Sequence, residues 1–330
     1  MIVIGWKKIP DYAIDCINGL TIKENILVIT DKKIPKKKIK KFSAKNIDLN
    51  KNYNWSDISS DKPSHFFFTG WDSKAFISLA KSKKTKNICM IDNIKKNTFR
   101  QYLGKVYFRL FLKRIFDAVF VPGVQSRDFL KYLGFEKKIY KGFYSCNEKI
   151  FKNTTRIVNR KYDFIYVGQF IHRKNILGLI SAFKQIRDKL KKKVKLRMIG
   201  QNRFLSISEK NITTLSFQNS KKIAKYLNNS KCLVLPSYEE HWGVVIHEAI
   251  SCGCAIILSN KVGSRNEFLK KNGFCFDINS HNDLFIKMRN FTKLKKIQLT
   301  RMSINSIKLS KKRSIKFWNS QFLKIINDLS

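Results

Sequence analysis

Acidic residues are scarce in this chain. Its 330 residues include 23 Asp and Glu against 67 Lys and Arg, a formal net charge of +44. Glycine and proline are also few, at 14 and 5, which excludes collagen-like and linker-dominated architectures. Apolar residues make up 43 %, enough to build cores, so the charge does not imply a wholly disordered chain. No apolar run reaches the ~20 residues of a membrane span. The longest, Gly243 to Leu258, is interrupted by His247, Glu248 and Ser251. At the N-terminus, MIVIGWKKIP has no charged segment ahead of its apolar block and reads as a first strand, not as a signal peptide. The length suggests about two domains.

Cysteines number seven, an odd count, and the only close pair, Cys252-Gly-Cys254, has the wrong spacing for a redox or zinc CxxC. Cys89, Cys232, Cys254 and Cys275 sit in apolar runs, where a thiol acts as a small hydrophobe. This pattern points to a reducing, cytoplasmic compartment and to no structural metal. The positive charge leaves two readings open. It suits phosphate-bearing partners: nucleic acid, nucleotide-activated substrates or an anionic membrane. It also suits a merely solvated surface, because Lys, Ile and Asn are abundant together and the cations spread along the whole chain.

Short apolar runs alternate with amphipathic stretches. In the first half, Ile2–Ile4, Ile26–Ile29, His65–Thr69, Ile88–Ile91 and Ala118–Val121 read as buried strands. Ser73–Lys81, Phe99–Phe116 and Ser126–Leu133 carry helical spacing, and the Phe-rich stretch Tyr107–Phe116 reads as core and not as a membrane patch. In the second half the strands are Tyr162–Val167, Val194–Ile199, Thr213–Phe217, Cys232–Leu235, Ala255–Leu258 and Phe274–Phe276, with helices between them. From His281 the tail reads as helical to the end. Such β-α-β alternation marks parallel sheets with helices on both faces. The expectation is α/β: two doubly wound Rossmann-like domains facing a central cleft, over residues 1–150 and 151–307. A C-terminal helix over 308–330 would pack back on the first domain. Ligands on such sheets bind beyond the carboxyl ends of the strands.

The most informative segment there is Leu235-Pro-Ser-Tyr-Glu-Glu-His-Trp-Gly-Val-Val-Ile-His-Glu-Ala-Ile-Ser-Cys-Gly-Cys254. It leaves a buried strand, passes Glu239 and Glu240, turns at Gly243 and enters a helix through Val244 and Val245. First-turn N–H groups of such a helix favour an anion, and Gly243 permits close backbone approach. Glu248, one turn inside, can accept hydrogen bonds from ribose-like hydroxyls, and Glu240 can face the other end of the same ligand. Gly168 ends the strand Tyr162–Val167. Gly5 at the end of the first strand either admits a ligand or makes a turn. His241 is the one histidine inside the motif loop, and Trp242 reads as a packing residue. No Asp-x-Asp pair offers a divalent-metal site, and no cofactor is implied.

This segment resembles the signature of retaining glycosyltransferases of family four, which have the GT-B fold: P-S-x-x-E-x-x-G-x-x-x-x-E-A-x-x-x-G. Glu240, Gly243, Glu248 and Gly253 match it. Tyr166-Val-Gly-Gln-Phe-Ile-His-Arg-Lys-Asn175 is similar to the family's strand and loop ending in a diphosphate-binding lysine, here Lys174. Cys89-Met-Ile-Asp-Asn93, Thr98-Phe-Arg-Gln-Tyr-Leu-Gly104 and Phe116-Asp-Ala-Val-Phe-Val-Pro-Gly123 resemble one branch of the family, so the likeness covers roughly residues 65 to 280. Two departures stand out. Gln169 occupies the place of a usual arginine, for which Arg173 beside Lys174 could compensate. Asp92-Asn93 stands where many members place a histidine, and Asp92 either serves the acceptor hydroxyl or caps a loop.

The resemblance implies a metal-independent, retaining, hexosyltransferase-type enzyme. Its donor would be a UDP- or GDP-sugar, and its acceptor a glycan or a lipid-linked glycan in lipopolysaccharide or other surface-polysaccharide biosynthesis. Lys174, Glu240 and Asp92 would carry catalysis. Glu248, Gly243, Val244, Val245, Gly168, Gln169, Arg173 and Gly5 would hold the donor. The expected place is the cytoplasm, with a peripheral position on the anionic inner face of the plasma membrane as a further expectation. Two alternatives come from other classes: a basic nucleic-acid-binding protein, for which the chain shows no recognised motif, and a GT-B nucleotide-sugar epimerase.

Overall fold

A computed structural model describes residues 1–82, 84–96, 98–190, 193–200 and 209–330. The first sheet holds β1 (Ile2–Trp6), β2 (Ile26–Thr30), β3 (Ser43–Asn46), β4 (His65–Thr69), β5 (Lys86–Met90), β6 (Ala118–Val121) and β7 (Lys138–Lys141). In the second are β8 (Tyr162–Val167), β9 (Leu196–Ile199), β10 (Ile212–Leu215), β11 (Ser230–Leu235), β12 (Ala255–Ser259) and β13 (Gly273–Phe276). Their orders are β3-β2-β1-β4-β5-β6-β7 and β10-β9-β8-β11-β12-β13, and every pairing is parallel. The strand order therefore reverses between β1 and β4 in one sheet, and between β8 and β11 in the other. Those switch points open a crevice at the carboxyl ends of the strands.

The sheets belong to two compact units, residues 1–145 with 313–330, and residues 146–312. Central strands are buried on both sides, as parallel sheets require: all residues of β1, β2, β6 and β12 are buried. In the first unit one face of the sheet is closed by the last helix, Ile315–Leu329. Its Trp318, Phe322, Ile325 and Ile326 join Ile4, Val28, Phe67 and Phe120 in a single core. Phe322 stacks on Phe67 with ring centroids 4.0 Å apart, and the Trp318 indole N–H donates to the Phe143 carbonyl at 2.9 Å. At about 2 kcal/mol for each large apolar side chain removed from water, these four residues hold the tail on the sheet.

Several elements depart from the reading of the sequence. The edge strands β3 and β7 were not expected. Their residues are mostly exposed and lysine-bearing, the composition that protects sheet edges from further pairing. Helix Asp11–Asn18, entered directly after Pro10, was also not expected. The stretch Phe99–Phe116 is an α-helix over Phe99–Tyr107 that continues as a π-helical turn over Phe108–Leu112. Its reading as core is corrected in part. Phe108, Leu112 and Phe116 are buried, whereas Tyr107, Leu110 and Phe111 lie exposed with Phe99, Tyr102, Leu103 and Val106. Among the described residues, no helix is long and apolar enough to cross a membrane. All seven cysteines are free thiols, six of them buried.

Candidate active site

In the C-terminal unit the loops after β8 and β11 meet at the switch point. Gly168 follows β8 with φ +157°, and a Cβ there would sit 2.7 Å from the Tyr166 hydroxyl oxygen. That hydroxyl donates to the Gln169 carbonyl at 2.8 Å, pinning the turn. The chain then makes one 3-10 turn, His172–Lys174, ended by Asn175 in the left-handed region. This turn swings Lys174 inward until only 7 % of it is exposed. Gln169 and Arg173 stay exposed. The Arg173 guanidinium donates to the Glu239 carbonyl at 3.2 Å, and the Tyr238 N–H donates to the Arg173 carbonyl at 2.9 Å, so the two loops are laced together.

On the β11 side, Glu240 is fixed by its backbone: it bridges Val262, and the Gly263 N–H donates to its carbonyl at 2.8 Å. Its side chain accepts a hydrogen bond from the Lys174 ammonium, forming a buried ion pair. Two residues 66 apart in sequence thus form one charged unit, since an isolated ammonium would not survive such burial. Gly243 caps the helix Val244–Ser251 at φ +80°, where Cβ-bearing residues are strained. The first-turn N–H groups of Val244 and Val245 precede any intrahelical acceptor. Trp242 is buried against Phe268, with centroids 5.6 Å apart, and its carbonyl accepts from the Ser264 hydroxyl at 2.6 Å. His241 lies 3.0 Å from a Glu239 carboxylate oxygen.

Glu248 is half-buried on the same helix, and no described residue donates a hydrogen bond to its carboxylate. Burial pushes its carboxyl up to about 7. A carboxylate desolvated in this way gains from any ligand hydroxyl that donates to it. The helix ends at Gly253, φ +73°, with the Cys254 N–H bonded back to the Ala249 carbonyl at 2.9 Å. Beneath it the buried Arg160 donates to the carbonyls of Thr155, Ser230 and Cys252, a brace that the sequence did not single out.

Asp92 and Gly5 belong to the N-terminal unit. Asp92 follows β5 and lines a cavity of about 760 Å³, together with Trp6, Lys7, Thr69, Asp72 and Asn93. One of its carboxylate oxygens accepts from the Tyr144 hydroxyl at 2.9 Å. Burial, with the neighbouring Tyr12 and Asp92, holds the Tyr144 phenol well above its ordinary value, so it remains a donor. Across the cavity Lys7 pairs with Asp72 at 3.0 Å. Gly5 is one residue removed from this lining. A Cβ there would meet the Phe76 ring at 2.9 Å and the Phe68 Cβ at 3.1 Å, so core packing alone accounts for the glycine.

Comparison with known proteins finds likenesses in family and in fold. Residues 147–309 match the family model for glycosyl transferases group 1, which is nearly the whole C-terminal unit. A curated relative, the capsular polysaccharide biosynthesis glycosyltransferase CapH of Staphylococcus aureus, is 29 % identical over 191 residues. That match covers 53 % of this chain and 51 % of CapH, so the chain spans about half the length of the relative. Among solved structures, HepE of Anabaena in complex with UDP superposes with a TM-score of 0.78 at 13 % identity, covering 99 % of this chain and 100 % of that one. A glycosyltransferase from Rickettsia africae gives 0.77 at 14 % identity, covering 99 % and 98 %. These structural likenesses bear on the fold, which is GT-B with two Rossmann-like sheets. Over residues 147–309, the C-terminal unit is similar to the group 1 glycosyltransferases.

Proposed function

We propose that this chain moves a hexose from a UDP- or GDP-sugar to a glycan or lipid-linked acceptor, with retention and without a metal, in building a surface polysaccharide in the cytoplasm. The observation that carries the reading is the Lys174–Glu240 pair beside the glycine-capped start of helix Val244–Ser251, with Glu248 further along it. In transfer from a nucleotide sugar, negative charge grows on the departing diphosphate as the anomeric carbon becomes cationic. A cation ~4 Å from that charge contributes about 4 kcal/mol at an effective dielectric near 20, and fixed donors act most on such developing charge. Lys174 and the N–H groups of Val244 and Val245 take this role. Glu240 orients the sugar hydroxyls and Glu248 accepts from the ribose. Arg173 supplies the charge that Gln169 lacks.

The cavity around Asp92 is the acceptor site in this reading. Tyr144 holds one carboxylate oxygen, and Asp92 receives the acceptor proton as the hydroxyl attacks on the leaving-group face. UDP is the first donor base to try because the Anabaena neighbour was solved with it, and the name of CapH favours a capsule-type product. The test is to incubate the purified protein with nucleotide sugars and candidate acceptors and read the new linkage by NMR. Retention of the donor's anomeric configuration supports the proposal. Inversion, or epimerised donor with no transfer, overturns it.

A further inference from the structure

The helix and π-helical turn from Phe99 to Leu112 present apolar side chains to opposite sides. Phe108 and Leu112 are buried in the core of the N-terminal unit. Facing solvent, Phe99, Leu110 and Phe111 are 75, 67 and 58 % exposed, and Leu103, Val106 and Tyr107 continue the stripe between them. These exposed positions recur at spacings of three and four, so they form one face. Monomeric proteins seldom leave so continuous an apolar patch in water. The segment itself carries charge of one sign: between Asn93 and Phe116 the chain has seven Lys and Arg and no Asp or Glu, and one of the seven, Lys113, pairs with Glu136 at 3.3 Å. Lys95 and Lys105 lie over the Tyr132 ring at 4.8 and 4.3 Å, and Lys96, Arg100 and Arg114 are exposed beside the stripe.

From this we infer that the Phe99–Leu112 face docks on an anionic lipid surface, its apolar side chains in the headgroup boundary and its flanking cations on phosphate. An apolar stripe with aromatic residues and a rim of Lys and Arg has the chemistry of an interfacial helix. A second copy of this chain is the poorer occupant, since pairing would set this acid-free segment against itself on a chain of net charge +44. Nucleic acid is poorer still, because the exposed centre of the face is aliphatic. Arg100, Gln101, Gly104 and Tyr107 of the same helix line the cavity that holds Asp92, so docking brings that cavity to the bilayer, where a lipid-linked substrate resides. The docking does not rest on the glycosyl-transfer reading, because its test needs no substrate.

The test is flotation of the full chain with vesicles of phosphatidylcholine alone and of phosphatidylcholine with phosphatidylglycerol, at low and physiological salt. The wild type should float only with the anionic vesicles, and salt should weaken binding without abolishing it. The exposed pair Leu110→Ser/Phe111→Ser should keep its melting temperature and float at least about tenfold less. Lys96→Glu/Arg114→Glu should lose most of the salt-sensitive part. Should the first pair fail to fold, Phe99→Ser/Leu103→Ser makes the same test. Wild type that stays at the bottom of the gradient overturns the inference, as do apolar variants that float like wild type, which would reduce binding to diffuse charge. A wild-type dimer in light scattering that the apolar variant dissociates also overturns it, in favour of a second copy.

Discussion

Glu240 is the counter-ion of Lys174, and it occupies the charge that the diphosphate of the proposed donor would use. Donor binding therefore exchanges one anion for another, and Glu240→Gln should separate the two roles of the glutamate. Removing one partner of a buried pair leaves an uncompensated charge, which costs about 3–5 kcal/mol. The variant should accordingly melt well below wild type. UDP then supplies the missing anion without competition, so its affinity should rise by about tenfold, or ~1.4 kcal/mol. The same change removes the group proposed to orient the sugar, so kcat should fall by about 10²-fold or more. Isothermal titration with UDP reads the first effect, and the UDP-induced rise in melting temperature gives an independent reading. Lys174→Ala is the contrast: its UDP affinity should drop by up to about 10²–10³-fold, the worth of ~4 kcal/mol. A Glu240→Gln protein that loses UDP as badly as Lys174→Ala would refute the exchange.

Three further outcomes follow from the same geometry. Burial raises the Glu248 carboxyl from 4.5 to about 7, so the folded protein holds a proton that the unfolded chain has released. The stability tied to that proton is full below about pH 4.5 and is lost as pH rises to about 7. Glu248→Gln should remove that decline, leaving the variant up to about 3 kcal/mol more stable than wild type above pH 7, yet weaker for UDP. Equal denaturation curves at pH 8 would contradict this. Tyr144→Phe removes one hydrogen bond to Asp92 and should lower kcat by about tenfold with UDP affinity unchanged, measured by transfer assay and titration; an unchanged kcat sinks the assignment of Asp92 to the acceptor. Gly5→Ala should cost about 1–3 kcal/mol through overpacking against Phe76 and leave UDP binding intact. Lost UDP binding at an unchanged melting temperature would instead give Gly5 to the donor.

Much of the fold is legible in the sequence because parallel strands buried on both faces must be short, continuous and apolar. β4, β6 and β8 fall where their apolar runs fall. β3 and β7 escape that reading because an edge strand needs no apolar face, and their SAKN and KIYK show none. In the site, glycine spacing and the glutamates mark Gly168, Gly243, Glu240 and Glu248, the first three set by local turns and the last by its place on helix Val244–Ser251. The Lys174–Glu240 pair spans 66 residues and the Tyr144–Asp92 bond 52; no local pattern encodes such partners. The helix from Phe99 is illegible for another reason. With apolar residues on both faces, periodicity cannot say that Phe108 and Leu112 point inward while Leu110 and Phe111 point to solvent.

Lys174, Glu248 and the helix start at Gly243 are proposed to build a nucleotide-sugar site in the C-terminal unit. Titration of UDP-, GDP-, ADP- and CMP-sugars into wild type and into Lys174→Ala tests it most directly. Wild type should bind one donor saturably, and Lys174→Ala should bind it about 10²-fold or more weakly. Failure of every donor to bind, alongside tight and steeply salt-dependent oligonucleotide binding, would contradict it and make the basic charge itself the function.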